Sequence, residues 1–269
     1  MSSIQAISAS LPAHIPPAML VIFRIGGLAI YGPVLGSNVI PVRVRVMLSF
    51  ILGLAVYPLL SRETLVGAPM QLDLLMLGPM VALELLIGLA IGFVASIPLI
   101  SMQTGGLLMG QQMGLGFARF FNPSIDDEAD ILGQVLFFLA LASFLLIGGH
   151  EYMLLAVLRS FEHIPLGGFA PDGGLIDLLL GLLLASFELA LRVAMPLLAI
   201  VFIESVAMGF ISKSVPQLNI LSLGFPLRII VGFAIVATGL AIMHDILLDD
   251  FNDTLTQLFD WIASPTARR

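Results

Sequence analysis

Residues 85–118 form a run of 34 residues without a single charged side chain. As one straight helix this run would be about 51 Å long, because an α-helix rises about 1.5 Å per residue. The hydrocarbon core of a bilayer is only about 30 Å thick. The run must therefore break or leave the membrane plane, and Pro98, Gly105 and Gly106 are placed to supply the break. Irregular backbone survives at membrane depth only inside protein or along a cavity, and we predict such a segment at residues 101–121.

The composition of the whole chain is that of a membrane protein. Of its 269 residues, 59% are apolar and 11% are charged, against about 25% charged residues in an average soluble domain. Apolar surface on this scale cannot be hidden in a water-soluble fold. The net charge of −7 excludes the basic face that a nucleic-acid-binding protein needs. There is no cysteine, which excludes disulfides and cysteine-based metal sites.

The apolar stretches predict the membrane segments, since a spanning helix needs about 20 mainly apolar residues. These stretches are residues 15–35, 46–61, 74–100, 131–150, 175–207 and 229–244, the last extended to Leu248. The sequence therefore predicts an all-α polytopic protein of about six hydrophobic segments with broken helices. We treat residues 1–269 as a single membrane domain.

A glycine and methionine pattern lies within the predicted irregular segment. Gly106, Gly110 and Gly114 recur every four residues, so on a helix they form one stripe that admits a neighbouring backbone. Met109 and Met113 form a second row at the same spacing, and methionine re-packs readily around changing neighbours. Two interpretations stay open. The helix is packed in a membrane bundle with methionine as filler, or its apolar side chains seal a pore by dewetting.

Several ionisable side chains lie inside the apolar stretches. A charge at the bilayer centre costs about 2.5–3.5 kcal/mol on insertion scales, so each of them needs a partner. Glu188 and Arg192 are four residues apart and can pair on one helix. Arg24, Glu84 and Glu204 have no local partner, and an ion pair between helices or between subunits is favoured for them. The alternative is a self-contained secondary transporter of a small solute, with these three as coupling residues.

Enzyme and metal signatures do not occur in the sequence. We find no Walker loop, no G-x-S-x-G and no H-E-x-x-H motif, and predict no catalytic, cofactor-binding or metal-binding residues. An intramembrane enzyme would also need a nucleophile and a base, which the chain does not supply. The acidic cluster Asp126, Asp127, Glu128 and Asp130 fits the first turn of the next helix. Ser124 and Asp127 form a possible capping box there.

Four blocks of residues carry a resemblance to a known family. They are Arg24 with Pro33, Gly36, Pro41, Arg43 and Arg45; 110–118 (GQQMGLGFA) with Asn122 and Pro123; Gly149 and His150 with Ser160, Phe161 and Pro165; and 216–219 (PQLN) with 224–227 (GFPL). In order and spacing these blocks resemble the FliR family of the flagellar type III export gate and its injectisome relatives. The second and fourth blocks are the specific ones.

The resemblance implies a non-enzymatic gate subunit without cofactors, in the bacterial inner membrane at the flagellar basal body. Its partners would be the P-type and Q-type gate subunits, the B-type switch protein and the unfolded proteins that pass through the pore, with no nucleic acid. Residues 1–175 would resemble the P-type subunit in fold, and residues 176–269 the Q-type subunit. The hairpins of such a gate stack as a cone largely lifted out of the bilayer.

The same resemblance assigns roles to individual residues. The pore plug would comprise Gly106, Met109, Gly110, Gln111, Gln112, Met113, Gly114, Phe117, Phe120 and Phe121. The residues themselves, rather than the resemblance, predict the charges at subunit interfaces: Arg24, Glu84, Glu204, Lys213 and Arg228. A tip between two helices is expected where prolines remove backbone donors, with the turn residues Pro216, Gln217, Asn219 and Pro226.

Overall fold

The computed structural model describes residues 2–37, 39–61, 74–115, 130–169, 173–214 and 220–264. Within these ranges the chain forms α-helices and no strand, so the predicted all-α class is confirmed. The helices are α1 (Ser2–Tyr31), α2 (Val42–Val56), α3 (Leu74–Met113), α4 (Ile131–Leu146), α5 (Gly149–His163), α6 (Gly173–Ser214) and α7 (Ile220–Ala263), with a 3₁₀ turn at Tyr57–Leu59.

Among the described residues, five helices are long and apolar enough to cross a membrane, and the bent pair of α4 and α5 makes six if it is one span. The prediction of about six hydrophobic segments is thereby confirmed. Helices α3, α6 and α7 have 40, 42 and 44 residues, or about 60–66 Å at about 1.5 Å per residue. Each is about twice as long as the hydrocarbon core is thick. Much of their apolar surface therefore needs a neighbour other than a lipid tail.

Helix α3 does not contain the break that we predicted at Pro98, Gly105 and Gly106. The helix continues through Pro98 and both following glycines to Met113, and it ends where Gly114 adopts a φ of +81°. A proline removes one backbone hydrogen bond, and long membrane helices tolerate this loss where neighbours stabilise them. The predicted irregular segment is thus wrong as far as Met113, while residues 116–121 lie outside the described residues.

The glycines in α3 serve close packing instead of a break. A Cβ atom on Gly105 would lie 3.0 Å from the carbonyl oxygen of Ala190 in α6. A Cβ atom on Gly106 would lie 2.6 Å from Cα of Gly133 in α4. Real Cβ atoms do not approach other atoms so closely, so only glycine fits at position 106. The stripe of small residues therefore packs against other helices at its first position.

The predicted single helix over residues 131–150 is also wrong. Helix α4 ends at Leu146, α5 begins at Gly149, and the two axes are bent by 65°. Gly148 between them has a φ of +75°, in the left-handed region that glycine adopts at little cost. Its conformation ends α4 and starts α5 in a new direction.

The chain divides into two compact units, and each unit is built from separate stretches of the sequence. The first unit comprises residues 1–97, 145–182 and 253–269, and the second comprises residues 98–144 and 183–252. The division at residue 175 into a P-type-like and a Q-type-like part stays a prediction.

Helices α1 and α3 pack closely in the first unit because glycines face each other there. A Cβ atom on Gly27 would overlap the carbonyl oxygen of Leu85, and one on Gly88 would overlap that of Arg24. Gly26, the preceding residue, has nothing within 4 Å of a Cβ position. The close approach of the two backbones therefore depends on one face of α1.

We expect Gly27→Ala to destabilise the protein, because the added methyl group forces α1 and α3 apart, and overpacking costs about 1–3 kcal/mol. Gly26→Ala is the matched control and should be neutral or slightly stabilising, since alanine favours helix by up to ~1 kcal/mol. Thermal unfolding of the protein in isolated cell membranes, where its neighbours are retained, measures both. Equal stability of the two variants would contradict the close approach.

Candidate functional site

The predicted plug begins in the last turns of α3, and the structure describes it as far as Leu115. Met109 and Met113 are fully buried, at 0% exposure, whereas Gln111 and Gln112 are exposed. The methionine row therefore faces the interior of the second unit, and the glutamines face its surface. The remaining predicted plug residues lie outside the described part of the chain: Phe117, Phe120 and Phe121.

Met113 occupies a notch in α7 that Gly232 provides. A Cβ atom on Gly232 would lie 2.6–2.7 Å from Sδ, Cε and Cγ of Met113. Any larger residue at position 232 would displace the methionine side chain. The end of α3 is thus seated on α7 by shape.

Arg228 of α7 connects the end of α3 to α6 by charge. Its Nε and Nη2 donate to Oε2 of Glu204 at 3.0 and 2.9 Å, and Nη2 also donates to Oγ of Ser205 at 2.8 Å. Its Nη1 lies 3.5 Å from the carbonyl oxygen of Gln112. The last four carbonyls of a helix have no partner within the helix, and a cation is favoured there. We call Arg228, Glu204 and Ser205 the latch.

Only one of the two carboxylate oxygens of Glu204 has a hydrogen-bond partner among the described residues. The Glu204 side chain is 9% exposed, against 25% for Arg228. Among the described residues, Oε1 of Glu204 accepts no hydrogen bond. A buried polar atom without a partner costs about 1–3 kcal/mol. The latch is therefore less stable than a fully satisfied ion pair would be.

Asp130 secures the chain on the other side of residues 116–129. Its Oδ1 accepts the backbone N–H of Gly133 at 3.0 Å, which caps the start of α4. Burial raises its pKa, and hydrogen bonds from Gly133 and from the Gln103 side chain of α3 oppose that rise. The chain is thus tied to the second unit just before and just after this segment. The predicted capping box at Ser124 and Asp127 lies outside the described residues.

A second charged cluster lies in the first unit and is completely buried. Nε of Arg24 lies 2.5 Å from Oε2 of Glu84, and its other nitrogens donate to Oγ of Ser160 and the carbonyl of Ile164 at 3.1 Å. The guanidinium also stacks 4.3 Å from the ring centre of Phe161, a favourable cation–π contact. One arginine of α1 therefore holds α3, α5 and the turn after α5.

Glu84 completes this cluster because both of its oxygens are used. Oε1 accepts the backbone N–H of Gly167 at 2.9 Å, while Oε2 pairs with Arg24. Both charged side chains are 0% exposed. Each charge that is buried here is paired and hydrogen-bonded, as burial requires. No unused oxygen of Glu84 is left to bind a transported ion.

The predicted pair of Glu188 and Arg192 is confirmed, with 2.9 Å between Oε1 and Nη2. The two side chains are 71% and 59% exposed, although they lie in the middle of α6. Two charges facing lipid there would be costly. This face of α6 therefore favours a protein or water neighbour.

The other predicted interface and turn residues have mixed outcomes. Arg24 and Glu204 meet partners within the same chain, and Lys213 is exposed near the end of α6; the subunit-interface role of all five charges stays a prediction. Pro226 is corrected, because it lies inside α7. It falls in the second turn, where its missing N–H removes only one helix bond. The other turn residues lie outside the described ranges: Pro216, Gln217 and Asn219.

Sequence reasoning named Ser160 only as part of the family resemblance and missed its contact with Arg24; it also missed Gly167, Ser205 and Gly232. All but Gly232 are small polar or backbone partners that only the fold brings to a charge. Gly232 had a signal, because it follows Arg228 by four residues and so shares its face of α7.

The fold and these clusters define an all-helical membrane protein in which the ends of one segment are tied down. The family model described as bacterial export proteins, family 1, matches residues 15–254. The chain belongs to this family.

Individual relatives agree with this assignment. The chain is 27% identical to the flagellar biosynthetic protein FliR of Escherichia coli (strain K12), over 90% of this chain and 91% of that protein. It is 24% identical to the FliR protein of Bacillus subtilis (strain 168), over 92% and 95%. It is 27% identical to the Yop proteins translocation protein T of Yersinia pestis, over 66% and 67%. The predicted FliR-family membership is confirmed, and the chain is a component of a flagellar or type III export apparatus.

We expect Arg24→Met to cost about 3–5 kcal/mol of stability, because it leaves the Glu84 carboxylate buried without its cation. The double variant Arg24→Met with Glu84→Leu should be more stable than the single one, since no charge then remains. Arg43→Met is the control and should change the stability by at most about 0.5 kcal/mol, because Arg43 is exposed and surface substitutions of this kind have small effects. Heat denaturation of the protein in isolated cell membranes measures all three. A double variant less stable than Arg24→Met would contradict this account.

Proposed function

We propose that this chain is a gate subunit of the type III export apparatus, in the inner membrane at the flagellar basal body. In this proposal, unfolded flagellar proteins pass through the pore that the chain helps to form, and residues 106–121 close that pore between export events. The observation that carries the proposal is the attachment of the chain on both sides of residues 116–129. The latch and Gly232 hold the end of α3, and Asp130 holds the start of α4.

The chemistry of the segment suits a seal. Residues 106–118 carry no charge, and methionine and glycine allow a constriction to re-pack around a passing chain. A narrow apolar constriction excludes water and ions without any specific contact. The transporter alternative is weakened because Arg24 and Glu84 are mutually satisfied and fully buried.

The surface of the helices supports assembly with other membrane proteins. Helices α6 and α7 are long, and many of their large apolar side chains are exposed. The exposed Glu188 and Arg192 pair lies on the same apolar helix. Partners of the P-type and Q-type would cover such faces, and the B-type switch protein would contact the assembled gate.

We expect the chain to be unstable or aggregated when it is produced alone and to become monodisperse with the P-type and Q-type partners. The reason is that its exposed apolar and charged faces are satisfied by protein rather than by lipid or detergent. Size-exclusion chromatography of the extracted protein, with and without the partners, measures this. A monodisperse, well-folded monomer would count against the assembly.

Deleting residues 110–116 in an intact gate should make cells leaky to small ions and osmolytes, because the apolar constriction is then lost. The leak should appear at near-normal abundance of the subunit. Membrane conductance and abundance are measured on the same cells. If the residues serve packing alone, the protein level falls without a leak, since losing buried methionine bulk costs about 2–5 kcal/mol per side chain. A tight membrane at normal abundance would refute the plug.

A further inference from the structure

We propose that Arg228 positions the plug: the latch holds the end of α3 in the closed state, and opening requires Arg228 to release it. This inference rests on the proposed function, because it explains how the predicted plug stays shut. It concerns contacts within the second unit of one chain.

The geometry joins three helices through one guanidinium. Arg228 belongs to α7, Glu204 and Ser205 belong to α6, and the carbonyl of Gln112 belongs to the last turn of α3. Gln112 directly precedes Met113, the last residue of α3. Any movement of the plug that pulls on the end of α3 therefore separates that carbonyl from Arg228.

The steric contact of Met113 lies on the same face of α7 as Arg228. Gly232 follows Arg228 by four residues, which places both on one side of the helix. The notch at Gly232 holds the apolar side chain of Met113 while Arg228 faces the neighbouring carbonyl. Arg228 and Gly232 thus contact two consecutive residues at the end of α3, Gln112 and Met113.

The latch is less buried and less completely hydrogen-bonded than the pair of Arg24 and Glu84. Arg24 and Glu84 are completely buried, and both carboxylate oxygens are bonded. Arg228 is one quarter exposed, and Oε1 of Glu204 has no partner among the residues that the structure describes. The Arg228 side chain is only partly buried, so its guanidinium can leave the end of α3 and keep its pair with Glu204. The Arg24 cluster is therefore the fixed one, and the contact of Arg228 with the end of α3 is the one that opens in this proposal.

Substitutions in the complete gate test this role in cells. Arg228→Gln should raise membrane conductance several-fold at normal subunit abundance, and Arg228→Lys should restore part of the closure because it keeps the charge. The control is Arg43→Gln, which removes an exposed arginine of the first unit and should leave the membrane tight. A tight membrane with Arg228→Gln at normal abundance would overturn the proposal.

Exchanging the two charges distinguishes the positioning of the end of α3 from the stability of the ion pair between Arg228 and Glu204. Glu204→Arg with Arg228→Glu keeps an ion pair between α6 and α7, but the carboxylate at position 228 cannot donate to the Gln112 carbonyl and opposes the helix dipole. We expect the swapped gate to stay leaky. A tight membrane with the swap would overturn the proposal, because the pair alone would then be sufficient.

A reversible cross-link tests whether α3 must be released. The chain contains no cysteine, and a Cβ atom at position 232 would lie 2.7 Å from Cγ of Met113, close to where the sulfur of a cysteine at 113 would lie. In the gate carrying Met113→Cys with Gly232→Cys, oxidation should abolish secretion and reduction should restore it, and the control is the same double variant kept reduced throughout. Normal secretion through a fully cross-linked gate would overturn the proposal.

The outcomes distinguish the latch from the proposed function. If deletion of residues 110–116 leaves the membrane tight, the plug itself is wrong. If the deletion leaks but Arg228→Gln does not, only the latch is wrong. If the Arg228→Gln protein does not accumulate, the cross-linking experiment tests the latch instead. The cross-linked gate retains Arg228, so it does not depend on that variant being stable.

Discussion

Charged side chains inside apolar helices need partners, and this constraint organises both units of the protein. In the first unit, the buried Arg24 guanidinium has all its polar partners within the fold: Glu84, Ser160 and the backbone carbonyl of Ile164. Breaking such a pair costs about 3–5 kcal/mol when one charge is left behind. The positions of α1, α3 and α5 around it therefore depend on one another, and glycines in α1 and α3 let the backbones come close enough for the pair to form.

In the second unit the charged side chains are also paired, but they are less completely buried than in the first unit. Arg228 is shared between the Glu204 carboxylate and the end of a helix, and its side chain is one quarter exposed. A partly buried group with two partners can leave one of them and keep the other. The helix end beside it leads into residues 106–121, which we propose to close the pore. In this proposal, the Arg24 pair belongs to the fixed architecture and the Arg228 contact belongs to a part that moves.

Local sequence rules predicted the local features of this protein. The spacing of Glu188 and Arg192 was sufficient to predict their pair, and the apolar stretches predicted the number of segments. The breaks were harder to predict, because glycine is used both for its small size and for its backbone freedom. Gly106 provides a close helix contact, whereas Gly148 provides the left-handed turn, and only the neighbours reveal which use applies. The partner of Arg228 is also set by the fold, since no periodicity links α6 to α7.

Electrical recording from the purified, assembled gate in a planar lipid bilayer tests the central claim most directly. If residues 106–121 close the pore and the latch holds them, the unmodified gate is silent and the gate lacking residues 110–116 conducts steadily. Both preparations must contain the subunit in the same ratio to its partners. A gate that stays silent after the deletion would contradict the account, because another part of the assembly would then form the seal.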